Sequence, residues 1–311
     1  MNIQSISIVV PTKGCVNSCK FCVSSMHEST YENSFSTTKI KKRIKFAVNN
    51  GVNTCIITGS GEALQNTKFL RSLVDIFNEM DHPFPNVELQ TSGVLLQKEG
   101  YTSYGWSVGK PWEKYPNIEL LRALRVNTIS LSVSDIFDSA NNWDIIGSPP
   151  NYRSPLTRLC KFIKDMGFNL RLSLNMTNVY DKQSPEDILG RCKGLGADQI
   201  TFRKLYHSDD DSEQTKWVKE NACNDNVISG LHFYIGGETR PTGKTTFTGH
   251  PHGKPLYRLP FGAMVYSYNG MSIAIDDNCM SKNETTQLKY VILRENGKLY
   301  CQWDDEGSLI F

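Results

Sequence analysis

Residues 14–22 read Gly14-Cys15-Val16-Asn17-Ser18-Cys19-Lys20-Phe21-Cys22, and they come shortly after an apolar run, Ile6 to Val10. The spacing C-x3-C-x2-C places three thiols on one short loop behind a predicted strand. An ordinary ferredoxin site supplies four cysteines to a 4Fe-4S cluster. Three sulfurs can hold three irons and leave the fourth iron open, so this loop predicts a cluster that binds a further molecule.

A structural zinc site is the alternative interpretation of the same loop. His27 stands five residues after Cys22, and together with Cys15, Cys19 and Cys22 it would complete a Cys3His set of ligands acceptable to zinc. Zinc ribbons usually bring their ligands as two separated pairs, whereas here all three cysteines share one loop. On this alternative the chain is a non-catalytic zinc-binding protein.

Composition describes a globular protein with no membrane segment. The chain has 311 residues, of which 39% are hydrophobic, and no apolar run approaches the roughly 18 residues that cross a bilayer. The formal net charge of +2 is far from the balance of a surface built for nucleic acid, which is therefore not a favoured partner. Nine cysteines are an odd number and no charged leader precedes an apolar segment, which argues against disulfides and predicts a cytoplasmic protein.

Strand-like apolar runs alternate with helical patterns along the first two thirds of the chain. The six predicted strands are Ile6–Val10, Thr54–Thr58, Val87–Thr91, Thr128–Ser132, Leu170–Met176 and Gln199–Arg203. Two helices are predicted to start where a serine cap precedes a proline, at Ser154-Pro155 and at Ser184-Pro185. Repeated strand–helix units predict an α/β fold with a parallel sheet and right-handed crossovers.

The pattern changes to a β-rich tail after about residue 226. A stretch from Gly236 to Pro260, rich in Gly, Thr, Pro and Lys, predicts an ordered loop or a lid. Two hairpins are predicted beyond it, with turns at Asn269-Gly270 and Asn296-Gly297. We therefore divide the chain into a core, residues 1–226, and a C-terminal extension, residues 227–311, which is expected to cover the open side of the core and line the substrate space.

The C-x3-C-x2-C motif with an aromatic residue before the third cysteine resembles the motif of the radical S-adenosylmethionine (radical SAM) superfamily. A second segment, Thr58-Gly59-Ser60-Gly61-Glu62-Ala63-Leu64, follows the second predicted strand and is similar to the Gly-Gly-Glu-Pro segment of that family. Ser60 stands where the family has glycine, and Ala63 where it has proline. The resemblance covers about residues 5–205 and implies a partial (β/α)6 TIM-like barrel, to which the β-rich extension is added.

The resemblance also implies two cofactors and the residues that bind them. It assigns the 4Fe-4S cluster to Cys15, Cys19 and Cys22, and S-adenosyl-L-methionine (SAM) to Phe21, Gly59, Ser60, Gly61, Glu62, Ser132, Asn175 and Arg203. Glu62 would pair with the SAM ammonium group, and Arg203, which is permanently charged, with the SAM carboxylate. Plainer alternatives are an ordinary strand-to-helix turn around Glu62 and satisfied polar residues at the strand ends.

The activity implied by the resemblance is reductive cleavage of SAM to a 5′-deoxyadenosyl radical, which abstracts hydrogen from a substrate. We expect a small-molecule or nucleotide-like substrate enclosed by the tail. Within the family, the alternatives are an activase for a glycyl-radical enzyme and a peptide- or RNA-modifying enzyme. Cys279 is a candidate hydrogen-atom donor to a substrate radical, as in radical epimerases; the alternative is a small buried hydrophobic residue.

One helix carries a basic face that is a candidate docking surface for an electron donor. Its apolar side includes Ile40 and Ile44, and its basic residues are Lys39, Lys41, Lys42, Arg43 and Lys45. Most such faces are only solvated. If this face is used, an acidic flavodoxin or ferredoxin that supplies one electron to the cluster fits it by charge, and contact with RNA is the other alternative.

Overall fold

The computed structural model describes residues 3–26, 35–99, 114–237, 250–259, 263–276, 288, 290–303 and 306–310. The strands are β1 (Ser5–Val10), β2 (Thr54–Gly59), β3 (Asn86–Thr91), β4 (Thr128–Val133), β5 (Asn169–Met176), β6 (Gln199–Lys204), β7 (Lys254–Arg258), β8 (Met264–Tyr268), β9 (Met271–Asp276), β10 (Tyr290–Leu293) and β11 (Leu299–Tyr300). The helices are α1 (Thr37–Asn49), α2 (Thr67–Glu79), α3 (Pro116–Ala123), α4 (Ser139–Ile145), α5 (Leu156–Asp165), α6 (Pro185–Gly194), α7 (Glu213–Asn221) and α8 (Asp225–Gly236).

Eleven strands of the described residues form one sheet, in the order β11-β10-β1-β2-β3-β4-β5-β6-β9-β8-β7. The strands from β10 to β9 pair in parallel, and antiparallel pairing is confined to the two ends. Each of the six predicted strands is found within one residue of its predicted bounds. The predicted parallel α/β fold is confirmed, and in this part of the chain the sheet does not close on itself.

Burial differs between the inner strands: β1 and β4 are buried along nearly their whole length, whereas two of the six residues of β2 are buried. In β1 and β4, five of the six residues are buried in each strand. A continuous apolar strand, rather than an alternating one, is typical of a parallel sheet with both faces covered. The C-terminal ends of these strands all meet at one edge of the sheet, which is where loops in such folds carry function.

Of the two helix starts predicted at serine–proline pairs, one is found as predicted and the other is shifted by one residue. Helix α6 begins at Pro185, and the Ser184 hydroxyl accepts a hydrogen bond from the Asp187 N–H at 3.1 Å, as predicted. Helix α5 begins one residue later than predicted, so the predicted cap Ser154 lies outside it. The Leu156 N–H at the start of α5 donates instead to the Ser139 hydroxyl at 3.0 Å. A side chain from another helix therefore replaces the local cap.

The two tail hairpins lie at opposite edges of the six-strand sheet. The first turns at Asn269-Gly270, where both residues have positive φ, as a two-residue hairpin turn requires. Its second strand, β9, pairs in parallel with β6. Strand β10 of the second hairpin pairs in parallel with β1, with Ser5 opposite Tyr290. Both predicted hairpins are confirmed, and each covers an edge that would otherwise expose unpaired backbone groups.

Several expectations for the tail lie outside the described residues. Residues 238–249 of the predicted loop and the candidate hydrogen donor Cys279 belong to this group. Residues 254–258 of the same predicted loop form strand β7, so the prediction of a loop is wrong there. The predicted division after residue 226 falls within helix α8, and the extension shares one sheet with the core. The division into two units stays a prediction. Among the described helices, none has the length and apolar character needed to cross a membrane.

Strand β10 is expected to contribute to the stability of the core although it comes from the tail. Leu293 pairs with Ile8 and is 1% exposed, whereas Leu256 in β7 is 55% exposed. Leu293→Ala should lower the free energy of unfolding by about 2–5 kcal/mol, the usual cost of a buried leucine. Leu256→Ala should change it by less than about 0.5 kcal/mol. Denaturant titration measures both values, and equal values would contradict the integral role of β10.

Candidate functional site

The cysteine loop, residues 14–22, leaves the C-terminal end of β1 and lies beside the ends of its neighbours. The Val16 N–H donates to Gln65 Oε1 at 2.8 Å, and Gln65 belongs to the short 3-10 turn after β2. On the other side, the Ser18 N–H donates to the carbonyl oxygen of Ile146, directly after α4, at 3.2 Å. The loop is therefore held between the β2 and α4 sides of the sheet edge.

Gly61 packs directly against the cysteine loop. A Cβ atom at this position would lie 2.7 Å from Thr12 Oγ1 and 3.1 Å from the Cα of Cys15, and it would overlap the carbonyl oxygen of Gly14. Only glycine allows two backbones to approach this closely. The resemblance assigned Gly61 to SAM binding, and in the structure the group that packs against Gly61 is the cysteine loop.

Glu62 is buried, and its carboxylate joins the end of β2 to the end of β3. Its Oε1 accepts a hydrogen bond from Thr91 Oγ1 at 2.7 Å, and its Oε2 accepts from the Ser92 N–H at 3.0 Å and the Ser92 hydroxyl at 2.7 Å. Asn17 Nδ2 in turn donates to Ser92 Oγ at 2.8 Å. A chain of hydrogen bonds thus runs from Glu62 to the middle of the cysteine loop.

The turn after α4 makes a contact with the cysteine loop that the sequence did not predict. Cys19 Sγ lies 3.4 Å from the carbonyl oxygen of Ile146, and the Ser18 hydroxyl donates to the carbonyl oxygen of Gly147 at 3.3 Å. A Cβ atom at Gly147 would lie 2.8 Å from the Ser18 carbonyl oxygen, so a larger residue does not fit. The partners are separated by 127 and 129 positions in sequence. No local spacing could have signalled this contact.

Helix α7 packs on the C-terminal end of the cysteine loop. The rings of Phe21 and Trp217 lie with their centroids 5.8 Å apart. Gln214 Nε2 donates to the carbonyl oxygens of Phe21, at 3.3 Å, and Tyr206, at 2.8 Å. Phe21 is thus positioned by a helix that follows the sixth strand. Sequence reasoning missed Gln214 and Trp217 because they stand about two thirds of the chain away from the cysteine motif.

The other predicted SAM residues lie at the ends of β4, β5 and β6. Asn175 is buried, and its Nδ2 donates to the hydroxyls of Ser132, at 3.1 Å, and Ser134, at 3.2 Å. Arg203 stands opposite Asn175 in the register of β5 and β6. The structure therefore brings Ser132, Asn175 and Arg203 to one region of the sheet edge. Ser134, which the sequence analysis did not name, completes this group of hydroxyl and amide side chains.

Comparison with protein families identifies the core of the chain. Residues 9–193 match the family model described as the radical SAM superfamily, and this match spans more than half of the chain. The chain belongs to the radical SAM superfamily. Members of this superfamily are enzymes that use a 4Fe-4S cluster and SAM. A comparison with curated proteins finds no match.

Comparison with solved structures finds radical SAM enzymes at low sequence identity. SuiB of Streptococcus suis bound to its precursor peptide SuiA has 20% identity, a TM-score of 0.45, and coverage of 66% of this chain and 40% of its own. The enzyme anSMEcpe with bound AdoMet has 12% identity, a TM-score of 0.50, and coverage of 73% and 57%. Coproporphyrinogen III oxidase (HemN) of Escherichia coli has 15% identity, a TM-score of 0.41, and coverage of 69% of this chain and 47% of its own. The chain spans about half the length of these proteins, and the likeness concerns the fold alone.

The three thiols of this radical SAM chain fit a group that carries positive charge. Burial raises the pKa of the Cys15 thiol, and it raises that of Cys19 to about 12, with the charges of Cys22 and Cys15 acting in the same direction. The thiols are therefore close enough to affect one another, and several thiolates gathered there are unfavourable without a cation. Iron offsets this cost, because a thiol that coordinates a metal is held as thiolate.

The geometry of the described residues can also be compared with the zinc alternative. Within these residues, no three His, Cys, Asp or Glu side chains are arranged as ligands of one metal ion. A cubane does not need such convergence, because each thiolate binds a different iron. His27, the proposed fourth zinc ligand, lies outside the described residues.

SAM is rich in N–H and O–H donors, and the site offers acceptors for them. In the described part of the chain, two buried oxygens in or beside the cysteine loop have no hydrogen-bond partner: Asn17 Oδ1 and Gln214 Oε1. Buried polar atoms in proteins are nearly always satisfied. A bound ligand with amino and hydroxyl groups would supply the missing donors, so the residues present fit this cofactor.

Gly61→Ala is expected to displace the cysteine loop. The overlap with Gly14 should cost about 1–3 kcal/mol, as overpacking usually does, and should lower the iron content after anaerobic reconstitution. Gly190→Ala in α6 is the control, because a Cβ atom there meets nothing within 4 Å. This variant should keep its iron and gain about 0.4–1 kcal/mol of stability. Equal iron contents in the two variants would show that Gly61 does not position the loop.

Glu62→Gln is expected to destabilise the protein even without cofactors. An amide has one acceptor oxygen, so its NH2 group must face either the Thr91 hydroxyl or the donors of Ser92. The free energy of unfolding of the cofactor-free protein should fall by about 1–3 kcal/mol. Glu79→Gln, which alters an exposed ion pair with Lys41, should change it by less than about 1 kcal/mol. An unchanged stability in Glu62→Gln would argue that Glu62 acts on a ligand alone.

Proposed function

We propose that the protein cleaves SAM reductively at a 4Fe-4S cluster and abstracts hydrogen from a small-molecule or nucleotide-like substrate. One observation carries this proposal. The loop with Cys15, Cys19 and Cys22 packs against the turn from Gly59 to Glu62, at the C-terminal edge of a parallel sheet. A cluster loop and a SAM-binding turn need this juxtaposition, because the electron must pass from one to the other.

The cluster and SAM, when bound, would supply one electron and a 5′-deoxyadenosyl radical that removes hydrogen from the substrate. The chain's own residues bind and orient these partners. Cys15, Cys19 and Cys22 would hold three irons, and Glu62 would face the amino end of SAM. The remaining proposed SAM contacts are Phe21, Gly59, Ser60, Gly61, Ser132, Asn175 and Arg203. The proposal of these contacts is supported by the position of the residues at strand ends or in the adjoining loops.

The tail would enclose the substrate and exclude water. A primary carbon radical reacts with stray hydrogen donors, so the active site has to be covered. Strands β9 and β10 extend both sides of the six-strand sheet, and their parallel direction brings their C-terminal ends to the edge that carries the cysteine loop. The loops after these strands would then line the substrate space. Cys279, which follows β9 in sequence, would be the hydrogen-atom donor in such a loop.

We propose that the electron donor docks on helix α1 and that the protein works in the cytoplasm. The side chains of Lys39, Lys42 and Lys45 on α1 are exposed, and Lys41 forms an ion pair with Glu79 at 2.6 Å. An acidic flavodoxin or ferredoxin would fit this face by charge. The eight cysteines in the described part of the chain are free thiols, which supports a reducing compartment. Nucleic acid is not favoured as a partner.

Anaerobic reconstitution tests the proposal at its first step. About four irons per chain and an absorbance near 400 nm are expected, and dithionite with SAM should yield methionine and 5′-deoxyadenosine. Cys19→Ala should lose the cluster and this activity, because two thiolates do not hold a cubane. Cys301→Ala, a partly exposed cysteine of the tail, is the matched control and should keep both.

Other outcomes of this experiment would favour the alternatives. One zinc per chain without colour would support the non-catalytic zinc-binding protein. Full iron content in Cys19→Ala would contradict the assignment of the cluster ligands. With an intact cluster, consumption of SAM that depends on a peptide, an RNA or a glycyl-radical enzyme, rather than on a small molecule, would identify one of the other radical SAM activities.

A further inference from the structure

Three consecutive backbone N–H groups in the cysteine loop have three different partners. The N–H of Val16 donates to the turn after β2, and the N–H of Ser18 donates to the turn after α4. Between them, the Asn17 N–H donates to Cys15 Sγ, and the nitrogen lies 3.4 Å from the sulfur. One backbone donor of the loop is therefore directed at a thiol that is a proposed cluster ligand.

The side chain of Asn17 is anchored to the ends of the central strands. Asn17 is buried, and its Nδ2 donates to Ser92 Oγ, just after β3, at 2.8 Å. The Ser92 hydroxyl proton is itself donated to Glu62 Oε2 at 2.7 Å. Because a serine hydroxyl has one proton, Ser92 Oγ acts only as an acceptor toward Asn17, which fixes the NH2 group of Asn17 on that side. The hydrogen bonds thus run in one direction, from Asn17 through Ser92 to Glu62.

This side-chain anchor controls the direction of the Asn17 N–H. Val16 and Ser18 are held by their own backbone bonds, so the path of the loop does not depend on the Asn17 amide. The peptide group between Val16 and Asn17 lies between these two fixed points. It can rotate by opposite changes of ψ at Val16 and φ at Asn17, which are the soft dihedrals of the backbone. Attachment of the Asn17 side chain to Ser92 restricts this rotation and keeps the N–H on the sulfur.

A hydrogen bond to a cluster sulfur acts on electron transfer. Reduction adds negative charge to the cluster and its sulfurs, so an N–H donor stabilises the reduced state more than the oxidised state. Hydrogen bonds to the sulfurs are among the factors that set the reduction potential of iron–sulfur clusters. The Cys15 residue is exposed, so its sulfur can bind iron while it accepts the Asn17 N–H.

We propose that Asn17 is a positioning residue that raises the reduction potential of the cluster, because its side chain, anchored to Ser92, directs its backbone N–H at Cys15 Sγ. This inference rests on the proposed function, since it needs an iron–sulfur cluster on Cys15. It goes beyond that function in one respect. The bonds from Asn17 through Ser92 to Glu62 tie the potential of the cluster to the turn at which SAM is proposed to bind.

The reduction potential of the reconstituted protein tests this role independently of activity. Asn17→Ala keeps the backbone N–H and removes its anchor. In an anaerobic titration without SAM, followed by electron paramagnetic resonance, the ratio of reduced to oxidised cluster at the parent's midpoint potential should fall about three- to tenfold, as expected for a weakened charge-assisted hydrogen bond. About four irons per chain should remain, because Val16 and Ser18 are still held. Asn127→Ala, the control, removes an amide hydrogen bond to Pro85 before β4 and should leave this ratio unchanged.

A double-mutant cycle separates this role from general damage to the loop. Ser92→Ala removes the acceptor of the Asn17 amide. In the Ser92→Ala protein, Asn17→Ala should cause no further fall in the ratio, because both changes break the same anchor. Additive effects would overturn the proposal, and so would a ratio that does not fall in Asn17→Ala. Loss of iron from Asn17→Ala would also overturn it, by showing that Asn17 holds the whole loop. A parent protein without a 4Fe-4S cluster would instead contradict the proposed function.

Discussion

The close packing of Gly61 on the backbone of Gly14 and Cys15 is the contact on which the site depends. Strands β1 and β2 pair in parallel up to Val10 and Gly59, so their loops start side by side at one edge and compete for the same space. Because position 61 carries no side chain, the two loops can interlock rather than diverge. The thiols and the Glu62 turn are thereby held relative to each other by contacts within the chain.

Parallel pairing gives the tail its influence on the same edge. In the β8–β9 hairpin, the parallel direction of β9 brings its C-terminal end, rather than the turn before it, to the cysteine side. In the β10–β11 hairpin, the parallel direction of β10 brings the turn at Asn296-Gly297 to that side. In this chain, β9 and β10 join in parallel to β6 and β1, and antiparallel pairing is left to the outer strands. The C-terminal ends of β9 and β10 consequently lie at the functional edge. The same two strands cover the edges of the six-strand sheet.

Much of the core could be read from the sequence because its signals are local. Continuous apolar runs marked the six strands, and the spacing of Cys15, Cys19 and Cys22 marked the loop. The residues that position this loop could not be predicted, because Ile146 and Trp217, which contact it, are far from it in sequence. The turn at Asn269-Gly270 predicted a hairpin correctly, yet nothing in its sequence named β6 as the neighbour of β9. Partner choice depends on which edge remains unpaired, and that is a property of the whole sheet.

Ser60 shows why a departure from a family motif carries information. A glycine at this position would remove the hydroxyl oxygen that lies 3.1 Å from Thr12 Oγ1. Thr12 Oγ1 is also the atom that a Cβ at Gly61 would meet at 2.7 Å, so the two hydroxyls and the backbone of Gly61 pack as one group. Because Thr12 follows β1 and Ser60 follows β2, this group joins the two loops. The residue that departs from the motif therefore takes part in holding the cysteine loop against the turn after β2.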